Sequence, residues 1–211
     1  MCGRYYTYSR TSYEVENELG LEPGSVTISE GDITPGMSPV VLSAVRSGAD
    51  SEIKNVEDSA NNNAEDKKIT ISNMFWGLSF KDKKLIINAR CESVFSKKMF
   101  TDGIERRRIV IPAAGFYEWD RDKNKVSFYK KDKKPIYLAG FYELSDNKDS
   151  FVILTTSANE SMIRVHDRMP LMIDQSAVKD WLYDTDSARE MLSMEMPLLE
   201  SHQDYEQLSL F

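Results

Sequence analysis

Two cysteines and two histidines are all that the 211 residues contain. Cys2, Cys91, His166 and His202 show no CxxC or HxxxH spacing, so no metal centre is expected. With no secretory pattern at the N-terminus, two cysteines also make no disulfide framework. No stretch approaches the ~18 apolar residues of a membrane span. Neither a Walker loop nor a GxGxxG stretch is present, so no nucleotide cofactor is expected. Positive charge is scarce as well: 27 Lys and Arg face 34 Asp and Glu, for a net charge of −7. Taken alone, that balance counts against a nucleic-acid partner. These absences leave a cytoplasmic, monomeric globular protein as the expectation.

Hydrophobic residues make up 41% of the chain and charged residues 29%, an ordinary balance for a domain with a real core. The charge is uneven. Acidic residues crowd residues 50–66 and the stretch from Glu190 to Glu206. Basic residues gather in Arg106-Arg107-Arg108, in Lys81 to Lys84 and in Lys130 to Lys134. Such clusters can line a local positive groove, or sit as solvated turns and strand edges.

Alternation, or a short apolar run, predicts strands at 2–8, 40–45, 69–76, 84–88, 108–112, 116–119, 126–130, 135–142 and 151–156. Helical spacing is found at Ser12–Leu19, Ser93–Phe100, Asn159–Val165, Ser176–Tyr183 and Ala188–Met194. Residues 48–68 are polar, contain Asn61-Asn62-Asn63, and read as an acidic insertion within one domain spanning 1–211. Strands in adjacent runs, outnumbering helices, indicate an α+β domain. Its expected form is a curved, largely antiparallel, barrel-like sheet with peripheral helices.

The chemistry begins at Met1-Cys2-Gly3-Arg4. Removal of Met1 would leave Cys2 with a free α-amine and a thiol on adjacent carbons, titrating near ~8 and ~8.5. An aldehyde can condense with that amine to an imine, and the thiol can close a five-membered thiazolidine on the imine carbon. An internal cysteine cannot, because its nitrogen is an amide. Gly3 leaves room beside the backbone, and Arg4 adds a permanent cation.

Four other residues in three segments are candidates for chemistry. Glu118 stands between Tyr117 and Trp119 on an expected strand, a setting suited to general acid or base work. An outward-facing, solvated glutamate is the alternative. Asn88 and Arg90 close the strand Leu85-Ile86-Ile87, where an amide and an anion clamp are useful at a site, or simply cap a turn. His166, flanked by Asp167 and Arg168, is either a proton shuttle or a structural histidine.

Four segments, taken in order, resemble the SRAP (SOS-response-associated peptidase) family: Cys2-Gly3-Arg4-Tyr5, Asn88-Ala89-Arg90-Cys91-Glu92-Ser93, Pro112 to Trp119 (PAAGFYEW), and His166-Asp167-Arg168-Met169-Pro170. Trp76-Gly77-Leu78 resembles the family's WGL stretch, although Ser79-Phe80 follows where a proline is usual. The resemblance implies an α+β domain around a curved sheet with a positive DNA channel. It also implies a protein that shields abasic sites in single-stranded DNA through a thiazolidine crosslink, with abasic-site lyase character. On it, Cys2 is the nucleophile, Asn88 orients the sugar or the amine, and Glu118 and His166 move protons. Arg4 and Arg90 hold flanking phosphates, and Trp76 stacks near the DNA junction. The partner is abasic single-stranded DNA, met in the nucleoid, with no cofactor. Two other functions use the same residues: an N-terminal-cysteine peptidase, and a non-covalent single-stranded DNA-binding module.

Overall fold

The computed structural model describes residues 2–45, 67–79, 84–145 and 148–203. Most of the acidic insertion expected at 48–68, and Lys81 to Lys83 of one basic cluster, lie outside them. In chain order the elements are β1 (Tyr5–Thr7), α1 (Thr11–Leu19), β2 (Gly31–Ile33), β3 (Val40–Ala44), β4 (Ile69–Asn73), β5 (Phe75–Trp76), β6 (Leu78–Ser79), β7 (Leu85–Ile86) and β8 (Asn88–Arg90). Then follow α2 (Lys98–Arg106), β9 (Arg108–Ala113), β10 (Gly115–Trp119), β11 (Lys125–Tyr129), β12 (Ile136–Glu143) and β13 (Ser150–Ser157). The last are β14 (Arg168–Pro170), β15 (Met172–Ile173), α3 (Val178–Tyr183), α4 (Thr185–Met191) and β16 (Glu200–Gln203).

The strands form a mixed α/β fold with few helices. A five-stranded antiparallel sheet runs β16-β11-β10-β1-β2. A nine-stranded sheet runs β14-β13-β12-β9-β3-β4, with β15 added on β12 and β5 and β8 added parallel to β13. Both sheets are open: among the described residues β2 and β16 are edges of the first, and the second runs from β4 to β5 and β8, which lie on the side of β13 away from β12 and β14. The barrel-like closure expected from the sequence is therefore corrected to two open sheets sharing one core, beside a two-stranded ribbon of β6 and β7. That core is continuous, running from Cys2 and Tyr5 through Val110, Phe116 and Phe151 to Leu199.

Strand β9 shows why the sheets meet as they do. All six of its residues are buried, as expected of a β-branched run covered on both faces. Ala114 then carries the chain directly from β9 in one sheet to β10 in the other. Gly115 permits the crossing, because a Cβ there would collide with the Tyr6 hydroxyl and the Phe128 carbonyl.

Two helices differ from expectation. Ser93–Phe100 is helical only at its end: a 3-10 turn covers Cys91–Ser93, and α2 begins at Lys98. Its buried face, Phe100, Gly103 and Ile104, starts where the expected helix would end. Residues 160–165 form successive turns instead of a helix, with the Ser161 N–H and hydroxyl donating to the Asn159 side chain. Helical competition from such local side-chain bonds is general for Asn and Ser. The Arg106–Arg108 cluster is corrected too. Arg108 is buried and donates to the carbonyls of Ile104, Glu105 and Trp181, and Arg107 pairs with Asp102 and Glu143. These two arginines hold α2 and α3 to the sheet and offer no groove to an anion.

Candidate active site

Cys2 sits immediately before β1, and β1 lies beside β10 with Tyr5 opposite Phe116. Alternation along β10 buries Phe116 and Glu118 and turns Tyr117 and Trp119 outward. Cys2 is 0% exposed and Glu118 4%. Burial, and then the Glu118 carboxylate, push the Cys2 thiol up to about 12, partly offset by the Arg4 backbone N–H. The thiol is therefore protonated at neutral pH, and it lies within electrostatic reach of Glu118.

Asn88 opens β8, which runs parallel to β13 with Asn88 opposite Ile153. Its Nδ2 donates to the Cys2 carbonyl at 3.0 Å. That contact fixes the amide's orientation, since only the NH₂ end can face a carbonyl. Oδ1 is then buried with no hydrogen-bond donor among the described residues. The Tyr5 hydroxyl is buried in the same way, its ionisation opposed by burial and then by Cys2. Sequence reasoning missed Tyr5. Its only signal was its place, three residues from Cys2 in a strand that had to be buried.

Trp76 is corrected. It is 0% exposed, so it presents no face to a DNA base. Its ring lies 5.4 Å from Tyr5 and 6.2 Å from Phe151, and its indole N–H donates to the Ile87 carbonyl at 3.0 Å. Trp76 is thus a buttress that holds Tyr5 on one side and the entry to Asn88 on the other. The exposed indole is Trp119, at 37%.

His166 lies on the turn into β14, half-buried. Its Nδ1 accepts the Arg168 backbone N–H at 2.9 Å and lies 3.0 Å from the Asp167 carboxylate. The two contacts belong to different ring states. With its proton on Nε2 the ring accepts from Arg168, whereas an Nδ1–H would donate to Asp167. Arg168 is buried, makes a bidentate pair with Glu92 at 2.6 and 2.9 Å, and donates to the Thr155 carbonyl. This pair joins the Asn88 to Ser93 motif to the His166 to Pro170 motif across β13. Its hydrogen bonds hold the Glu92 carboxyl below its usual range.

Of the two expected phosphate contacts, Arg90 is exposed at the end of β8. Arg4 is half-exposed, 3.5 Å from Asp32 and 5.4 Å from the Trp119 ring centroid. The structure therefore gathers buried Cys2 and Glu118 and half-buried Asn88, its Oδ1 buried, at one corner, with Arg4 and Arg90 reaching solvent. Among the described residues no group of three His, Cys, Asp or Glu is placed to hold a metal ion.

Against known proteins, residues 1–209 match the family described as SOS response associated peptidase (SRAP). The chain belongs to that family. It is 25% identical over 206 residues to the abasic site processing protein YedK of Escherichia coli (strain K12), covering 90% of this chain and 83% of that one. It is 28% identical over 197 residues to the abasic site processing protein YoqW of Bacillus subtilis (strain 168), covering 86% and 80%. Among solved structures, a protein from Bordetella bronchiseptica shares the fold with a TM-score of 0.73 at 18% identity, covering 97% of this chain and 100% of that one.

Proposed function

We propose that this chain processes abasic sites in single-stranded DNA and does so covalently, through Cys2 once Met1 has been removed. What supports the reading most is the meeting of Cys2, Asn88 and Glu118 at one corner, with the Asn88 Oδ1 waiting for a donor. The α-amine of a processed Cys2 is such a donor, and so is a sugar hydroxyl.

The amine attacks C1′ of the open-chain sugar, and Glu118 relays the proton from nitrogen to the departing oxygen. One water leaves and an imine forms. The thiol then adds across the C=N bond, its proton passing to nitrogen, and the thiazolidine closes without further loss. His166 serves the sugar oxygen during ring opening and reversal. Arg90 and Arg4 hold the flanking phosphates. The imine, left to eliminate, gives the lyase reaction. The chain acts as a single domain and a monomer, on DNA, with no cofactor.

This order of events does not need a thiolate. A cysteine peptidase does, and burial, which raises the Cys2 thiol in the Met1-bearing chain, works against forming one. The test is a denaturing gel of the processed protein with three substrates: abasic single-stranded DNA, the same strand intact, and a fluorogenic peptide. A shifted, heat-stable band with abasic DNA alone is expected. Peptide cleavage without the band would favour the peptidase reading, and native-gel binding of both DNAs without the band would favour the non-covalent module.

A further inference from the structure

Leu199 is the last member of the hydrophobic core among the described residues. Strand β16 follows as an edge, bonded to β11, with its residues exposed or half-exposed. The sequence then reads Asp204-Tyr205-Glu206-Gln207-Leu208-Ser209-Leu210-Phe211. Three large apolar side chains fall within five residues, directly behind two carboxylates. Short segments with closely spaced apolar anchors are read by grooves on partner proteins. The acidic lead, repelled by phosphates, disfavours DNA itself as the ligand. Gln207-Leu208-Ser209-Leu210-Phe211 offers one amide, which can donate and accept at once, and leucine and phenylalanine prongs for two adjoining apolar pockets. That is the chemistry of the peptides that dock replication and repair proteins on ring-shaped sliding clamps.

We propose that residues 207–211 dock this chain on a DNA sliding clamp. The register supplies the second argument. Gln203 stands opposite Val126, and Val126 opposite Glu118. With strands ~4.8 Å apart, the segment leaves the sheet about 10 Å from the strand that carries Glu118. Eight further residues reach at most about 28 Å. A clamp held at that distance keeps the Cys2 corner beside the DNA the ring encircles, and such a tether raises the local concentration of template into the millimolar range. The purpose of the tether rests on the proposed abasic-site function; the docking does not.

The experiment uses a purified bacterial sliding clamp and the full chain, with binding read by surface plasmon resonance. Saturable binding is expected, competed by a free peptide of residues 203–211. Gln207→Ala, and separately Leu210→Ala with Phe211→Ala, should each weaken it at least tenfold. Adduct formation by these variants on a bare abasic oligonucleotide should match the parent, whereas on a clamp-loaded primed template only the parent should be accelerated. No clamp binding, or equal binding by the variants, would overturn the proposal. So would capture of the free peptide by the chain's own methionine-rich cleft, lined by Met172, Met194, Met196 and Leu198, in place of the clamp. Failure of the abasic-site reading would look different: clamp binding intact, with no adduct on the bare oligonucleotide.

Discussion

Asn88 decides more at the residue scale than its place at the end of a short strand suggests. It pins the Cys2 carbonyl with one end of its amide and holds a buried acceptor at the other. Asn88→Ala removes both, and a lost hydrogen bond of ~1–1.5 kcal/mol corresponds to a ~10-fold slower adduct rate. Single-turnover kinetics on an abasic oligonucleotide, with the fold checked by circular dichroism, measures it; an unchanged rate would remove Asn88 from the site. The two cysteines give a second prediction. Both thiols are pushed up to about 12, chiefly by burial, against ~8.5 in an unfolded chain. A raised folded value means the thiols' contribution to stability is fully present below about pH 8.5 and is lost as pH rises toward 12. The urea midpoint should therefore fall between pH 8.5 and 10.5, and iodoacetamide should label Cys2 and Cys91 of the Met1-bearing chain only as fast as it unfolds. A carboxylate between Tyr117 and Trp119 left either face open to Glu118, and the alternation of β10 is what buries it. The stacking expected of Trp76 came from the family resemblance alone, and the sheet order that buries its ring is not written in the residues around it.

At the scale of elements, the site is held from behind. β5 brings Trp76 between Tyr5 of β1 and the Ile87 carbonyl that precedes β8. Trp76→Ala should cost ~3–5 kcal/mol of stability, as for large buried aromatics generally. Crosslinking should fall with stability while the salt dependence of DNA binding stays at the parent value. Urea denaturation beside a binding titration distinguishes this from a stacking role, which would weaken DNA binding and leave stability intact. Strands such as β9 and β13 were readable from their apolar runs. The shift of α2 past Phe100 and the turns after Asn159 were not, because both are set by what packs against them or by local side-chain bonds. Nor was β16, whose Ser-His-Gln stretch has no apolar pattern and is a strand only because β11 offers it an edge.

For the whole molecule, the question is how a chain of net charge −7 would hold the polyanion proposed for it. Arg107 and Arg108 are consumed by the fold, which leaves local cations such as Arg90 and Arg4. If two to four phosphates are neutralised, log K should fall against log salt with a slope of about −1.4 to −2.8, at ~0.7 per phosphate. Arg90→Ala should flatten the slope by ~0.7. Asp32→Asn, which relieves Arg4 of its partner at 3.5 Å, should tighten binding. Anisotropy titrations across a salt series measure both, and a flat response would mean that the cations are only solvated surface. The overall class was legible because strands came in runs. The division into two open sheets was not, since β1 pairs with β10 from far along the chain, and such non-local pairing leaves no mark on either strand alone.

The most direct measurement is tandem mass spectrometry of the N-terminal peptide recovered from the adduct with abasic single-stranded DNA. The account predicts Met1 absent, the sugar attached at Cys2, and a mass equal to peptide plus sugar fragment less one water. Cys2→Ala should give no heat-stable adduct, only an imine trapped by borohydride. An adduct on a lysine, or one that retains Met1, or a heat-stable adduct from Cys2→Ala, would contradict it.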